Sequence, residues 1–259
     1  MATFDEPTAI DVDGEPVAGT FVAVRAQLPG VLFVHGWGGN QQRYLARAHQ
    51  IAELGCICLT FDLRGHAKTQ SQFETVSRED NLRDVIVAFD VLTKHPSVDP
   101  KAMAVVGSSY GGYLAAILTS LRRVRWLALR APALYKDSDW EIPKWQLKKL
   151  HDLEAYRQLR VKPEDSRALA ACMNFEGDVL IVESEHDFVV PHPVIENYRE
   201  ACSRARSLTY RVIEGADHGL VDESMQRAYT DLLVDWLQRM LKELRIPAPA
   251  VPAIMETSP

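Results

Sequence analysis

The chain has 259 residues, 47% of them hydrophobic and 25% charged, which suits one large α/β-sized core and needs no disulfide staples. Its 29 basic and 35 acidic residues leave a net charge of −6, and without a basic excess a nucleic-acid partner is not expected. No apolar run approaches the roughly 18 residues of a membrane span, and the acidic opening MATFDEPTAIDVDGEP lacks the apolar stretch of a signal peptide.

The opening segment TAIDVDGEPVAGTFVAVRA alternates in character around Asp13-Gly14, which predicts a hairpin. VLFVH predicts a short buried strand, followed by the glycine-rich HGWGGN. A helix is expected from Gln41 to Leu54, where Tyr44, Leu45, Ala48 and Ile51 recur at helical spacing, and Gly55 stops it. CICLTFD predicts the next strand. Cys56 and Cys58 alternate within it, and neither they nor Cys172 and Cys202 follow redox or zinc spacing. All four read as buried free thiols, and the expected setting is a reducing cytoplasm.

A polar loop, LRGHAKTQSQFETVSRED, leads to a helix over 81–94. The strand AMAVVG, the turn GSSYGG, the helix YLAAILTSL and the strand WLALRAP follow. Later come the strand DVLIVES, a helix from Pro193 to Arg204, the strand SLTYRVI and a helix from Asp222 to Leu244. Strands alternating with helices predict an α/β fold: a mostly parallel sheet with helices on both faces and the hairpin at one edge.

Residues 135–177 break this rhythm. They read as a short helical insertion, with Trp140, Trp145, Leu147, Leu150 and Leu153 either packing onto the domain or forming the apolar underside of a lid. Lys136, Lys144, Lys148, Lys149 and Arg157 read as its solvated face. The expected organisation is one domain over 1–244 and a proline-rich tail over 245–259.

Gly107, Ser109 and Gly111 spell G-x-S-x-G between a strand and a helix. A serine on so sharp a turn has its hydroxyl clear of the backbone, which makes Ser109 the candidate nucleophile and leaves Ser108 a structural role. A serine hydroxyl needs a base, and His218 follows the last strand in IEGADHGL; His186 and His192 are rivals. Asp187, in VLIVESEHDFVVP, is the candidate acid that orients the imidazole, with Glu183 and Glu185 as alternatives. The backbone N–H groups of Trp37 and Tyr110 are the candidate oxyanion donors. Arg130, at the end of its strand, is a candidate contact for a carboxylate-bearing substrate. No metal or cofactor is called for.

With HGWGG, FDLRGHAKT, GSSYGG, ESEHDFVVP and GADH in this order, residues 20–244 resemble the α/β-hydrolase superfamily. Ala67 and Thr69 depart from the usual glycine and serine of the D-x-R-G-x-G-x-S loop, and Ser184 stands where a glycine is common. GSSYGGYLAA also resembles the nucleophile turn of prolyl-oligopeptidase-like catalytic domains. Those usually carry a propeller for which these 259 residues leave no room, so the resemblance favours an esterase over a peptidase. It implies a serine hydrolase acting on a small-molecule acyl substrate through an acyl-enzyme. An amidase or peptidase, and a non-catalytic binding protein of the same fold, are the alternatives; homo-oligomerisation is left open.

Overall fold

A computed structural model describes residues 4–23 and 28–244, so the 245–259 tail lies outside the described residues. The chain opens with β1 (Phe4–Val12) and β2 (Glu15–Ala23), paired antiparallel. The connecting residues Asp13 and Gly14 both have positive φ, 58° and 83°, and such a two-residue turn matches the twist of the strands it joins. Then come β3 (Leu28–Val34), α1 (Gln42–Glu53), β4 (Ile57–Phe61), α2 (Arg78–Lys94), β5 (Val98–Ser108), α3 (Tyr110–Leu118) and β6 (Trp126–Arg130). The insertion contributes α4 (Leu147–Leu150), α5 (Leu153–Arg157) and α6 (Arg167–Met173), and the chain resumes with β7 (Asp178–His186), α7 (His192–Ala201), β8 (Ser207–Asp217) and α8 (Glu223–Leu244).

The strands form one eight-stranded sheet in the order β1-β2-β4-β3-β5-β6-β7-β8. The hairpin joins antiparallel through β2 and β4, and β4 through β8 pair in parallel. β4, β6 and the later residues of β3 and β5 are buried, mostly apolar runs because both faces of the sheet are covered. One core holds Leu82, Leu114, Leu169 and Ile195 from α2, α3, α6 and α7; the other holds Ile51 and Trp236 from α1 and α8. All four cysteines are buried, and none is joined in a disulfide among the described residues.

Two details differ from the sequence expectation. Helix α2 begins at Arg78, three residues before Asn81, because Ser77 accepts from Asp80 N–H while the Asp80 carboxylate accepts from Ser77 N–H. This reciprocal cap fixes a polar first turn that apolar periodicity does not reveal. In the insertion, Trp140, Leu147 and Tyr156 are buried in the main core, Trp140 stacked on Tyr113 at 6.1 Å, while Leu150 is 54% exposed. Lys144, expected on a solvated face, is buried: its Nζ lies 4.6, 5.1 and 4.8 Å from the ring centres of Trp37, Tyr110 and Tyr135. Burial pushes this ammonium below its ordinary pKa, and the aromatic faces offset part of that cost.

Candidate active site

Ser109 occupies the corner between β5 and α3 with φ 53° and ψ −118°, a conformation L-residues rarely adopt. The corner is held from both sides: Ser109 N–H donates to the Arg130 carbonyl, and Ala133 N–H donates to the Ser109 carbonyl, each at 2.9 Å. A side chain on Gly111 would collide with the Val34 carbonyl, and one on Gly107 would come within 2.5 Å of the Gly111 carbonyl. The G-x-S-x-G spacing is therefore a steric condition for passing β5 into α3 beside β3.

The Ser109 hydroxyl donates to His218 Nε2 at 3.0 Å, and His218 Nδ1–H donates to Asp187 Oδ2 at 2.6 Å. The other Asp187 oxygen accepts the N–H groups of Val189 and Val190 at 2.9 and 2.7 Å. These bonds leave one side-chain orientation for the carboxylate, which is 2% exposed. Asp187 follows β7 and His218 follows β8, so three parallel strands deliver the three residues to one end of the sheet. The rivals are engaged elsewhere. Glu183 accepts from His192 at 2.9 Å and from the Tyr210 hydroxyl, Glu185 accepts from Gly215 N–H, and His186 stands 4.0 Å from Glu185.

The Gly36–Gly39 turn, closed by Gly39 N–H donating to the Gly36 carbonyl, runs directly beside Ser109: a Cβ on Gly36 would lie 3.2 Å from the Ser109 Cβ. Trp37 is fixed between Phe73, His66 and Tyr110, with ring centres at 4.7, 4.8 and 5.5 Å. Tyr110 opens α3, where a backbone N–H has no partner within the helix. Two buried histidines brace this loop as acceptors. His35 Nε2 accepts Leu63 N–H and His66 Nε2 accepts Gly38 N–H, both at 3.0 Å. Burial, aided by the neighbouring His66, pushes His35 down to about 3, and burial lowers His66 as well.

The departures from the usual loop pattern have local explanations. Ala67 keeps the positive φ, 47°, that a glycine adopts there without strain. Thr69 Oγ1 accepts from Gly65 N–H and donates to the His66 carbonyl, as a serine could. Ser184 is buried, and its hydroxyl accepts from Arg130 Nη1 at 3.2 Å.

A cavity of about 530 Å³ opens at Ser109 and His218. No residue of 135–177 lines it; its far wall comes from α1 and α8 through Arg43, Arg47 and Tyr229. Arg130 lines it too, with its guanidinium donating to the His218 carbonyl at 2.6 Å as well as to Ser184. The sequence reading singled out Arg130 and passed over the two α1 arginines. Their signal was present: a basic i, i+4 pair on the helix directly after HGWGGN. Among the described residues no group of three or more His, Cys, Asp or Glu side chains is placed to hold a metal ion, and no helix is long and apolar enough to cross a membrane.

The sheet order, the strand-to-helix serine corner and the converging histidine and carboxylate define the α/β-hydrolase class. Residues 42–244 match the Prolyl oligopeptidase family, and the chain belongs to that family. No curated protein matches it. Among solved structures, dienelactone hydrolase from Anabaena variabilis is similar over 92% of this chain and 98% of its own, at 18% identity and a TM-score of 0.67. Est1E from Butyrivibrio proteoclasticus, solved with ferulic acid bound, is similar over 91% and 98%, at 16% identity and 0.69. A bromoperoxidase from Bacillus anthracis is similar over 90% and 100%, at 16% identity and 0.63. The chain is a hydrolase of the α/β family.

Proposed function

We propose that the protein is a serine hydrolase that cleaves carboxylic esters of small molecules through an acyl-enzyme. The observation that carries this reading is the unbroken hydrogen-bonded line Ser109–His218–Asp187, at 3.0 and 2.6 Å. Ser109 Oγ attacks the ester carbonyl carbon and forms a C–O bond as its proton passes to His218 Nε2. The negative charge on the former carbonyl oxygen is held by the N–H groups of Trp37 and Tyr110. Collapse breaks the bond to the alcohol oxygen, which leaves with the proton from His218. Water then repeats the sequence on the acyl-enzyme, giving up a proton to His218 and releasing the acid, while Ser109 regains its proton. Asp187 keeps the proton on Nδ1 and stabilises the imidazolium of both halves.

Family membership favours a second reading, in which the same residues cleave amides or short peptides. The four buried thiols fit a reducing, cytoplasmic setting. Labelling with a fluorophosphonate probe, lost in Ser109→Ala, is the expected result; a folded wild type that does not label overturns the serine mechanism. A panel of acyl 4-nitrophenyl esters set against matched aminoacyl 4-nitroanilides separates the two readings, and faster turnover of the anilides overturns the ester assignment.

A further inference from the structure

The chain as a whole is acidic, yet the cavity at Ser109 is lined by Arg43, Arg47 and Arg130 and by no aspartate or glutamate. The three form a graded series: Arg43 is exposed at the rim, Arg47 is half-buried on the wall, and Arg130 is buried, 6% exposed, at the base. Among the described residues Arg130 has neutral hydrogen-bond partners only, the His218 carbonyl and the Ser184 hydroxyl. Arg47 donates from Nε to Thr230 Oγ1 at 3.1 Å and stacks its guanidinium 4.5 Å from the centre of the Tyr229 ring. That contact holds the side chain across the α1–α8 seam, and among the described residues its terminal N–H groups make no hydrogen bond. Neither Arg43 nor Arg47 is ion-paired with a carboxylate among the described residues. Three like charges around one partly enclosed space raise its potential together and repel one another, a cost that an anion in the space reverses. At about 530 Å³ the cavity has the size of a small-molecule site.

We propose that the substrate of Ser109 carries a carboxylate, which sits between α1 and α8 against Arg43 and Arg47 while its ester carbonyl meets the serine. Arg43, at the open end, draws the anion in; Arg47, held by Tyr229 and Thr230, fixes its position. The proposal rests on the serine-hydrolase reading and adds the substrate class to it.

Two matched pairs test it, one for each side of the ester: mono-4-nitrophenyl glutarate against 4-nitrophenyl valerate, and 4-acetoxybenzoate against phenyl acetate. In at least one pair the wild type is expected to prefer the anion in kcat/KM by tenfold or more. That ratio is expected to fall about tenfold in Arg47→Gln and in Arg43→Gln, chiefly through KM, and to be largely retained in Arg47→Lys. Arg43 is exposed, so Arg43→Gln remains a fair test if a change at the half-buried Arg47 perturbs folding. Equal turnover within both pairs, or a preference untouched by both glutamine variants, overturns the proposal while fluorophosphonate labelling of Ser109 leaves the hydrolase reading intact. Calorimetric titration of monomethyl glutarate and methyl valerate into Ser109→Ala reads the anion site without turnover. Tighter binding of the glutarate, weakened in the Arg43→Gln background, supports the site; equal binding overturns it.

Discussion

Arg130 donates from Nη2 to the carbonyl oxygen of His218 at 2.6 Å, so a residue at the end of β6 holds the loop that carries the imidazole. Its Nη1 reaches Ser184 on β7, and the guanidinium thereby ties three adjacent strand ends together. Arg130→Gln is expected to lower kcat for phenyl acetate about 10- to 100-fold with KM little changed, because His218 loses its fixed distance to Ser109. Arg130→Lys, which can still reach one acceptor, is expected to recover part of that loss. Full kcat in Arg130→Gln would show that the loop keeps its place unaided.

Asp187 accepts one bond from His218 and two from backbone N–H groups, so Asp187→Asn keeps the side chain in place and removes the charge. The amide presents the wrong hydrogen-bond character to Nδ1–H and disfavours the tautomer that accepts the Ser109 proton. A fall in kcat of about 10⁴-fold with unchanged thermal stability is expected in steady-state kinetics and melting curves. A loss below tenfold would assign the carboxylate a structural role.

His35 gives the site a defined acid limit. Its ordinary pKa of 6.5 falls to about 3 in the folded chain, through burial first and the charge of His66 second. Between those values the unfolded chain takes up a proton that the folded chain refuses. Stability is therefore fully present above pH 6.5 and is lost as pH falls toward 3, with about 3 kcal/mol gone by pH 4.5. The bond at risk is the acceptor site on Nε2 for Leu63 N–H, which a protonated ring cannot offer. Thermal unfolding measured from pH 7.5 to 4.5 is expected to fall more steeply for the wild type than for His35→Gln. Parallel curves would place the acid sensitivity elsewhere.

Ala67 holds φ at 47° with a Cβ that disfavours it. Ala67→Gly removes the strain and also frees the unfolded chain, and the strain term is the larger at a positive φ. A gain of about 1 kcal/mol, or roughly 2–4 °C in Tm, is expected by calorimetry. A drop in Tm would mean that the Ala67 methyl group stabilises more than its backbone geometry costs.

The elements that sequence resolves best here are those whose signal is local. Alternation around Asp13-Gly14 marks the hairpin, and helical spacing from Tyr44 to Ile51 marks α1, because each pattern repeats within its own element. The start of α2 was less legible, since Ser77 and Asp80 cap it through side-chain bonds among polar residues. Lys144 was misread for a different reason: its spacing suits a solvated face, and only the arrival of Trp37, Tyr110 and Tyr135 from other parts of the chain buries it.

By itself the sequence determined the fold class and marked Ser109, Asp187 and His218 as candidates, which the structure brings into one hydrogen-bonded line. Each lies in a loop or turn directly after a strand, and parallel strands in one sheet must bring such loops to the same edge. Tertiary structure alone decided what surrounds them. The wall of the cavity comes from α1 and α8 and not from 135–177, and Arg130 at the end of β6 joins the Arg43–Arg47 pair of α1 from 83 residues further along the chain. Side chains so separated become neighbours only through the order of strands and the packing of helices on the sheet face. Their shared charge, which gives the cavity its chemical character, is a property of that packing.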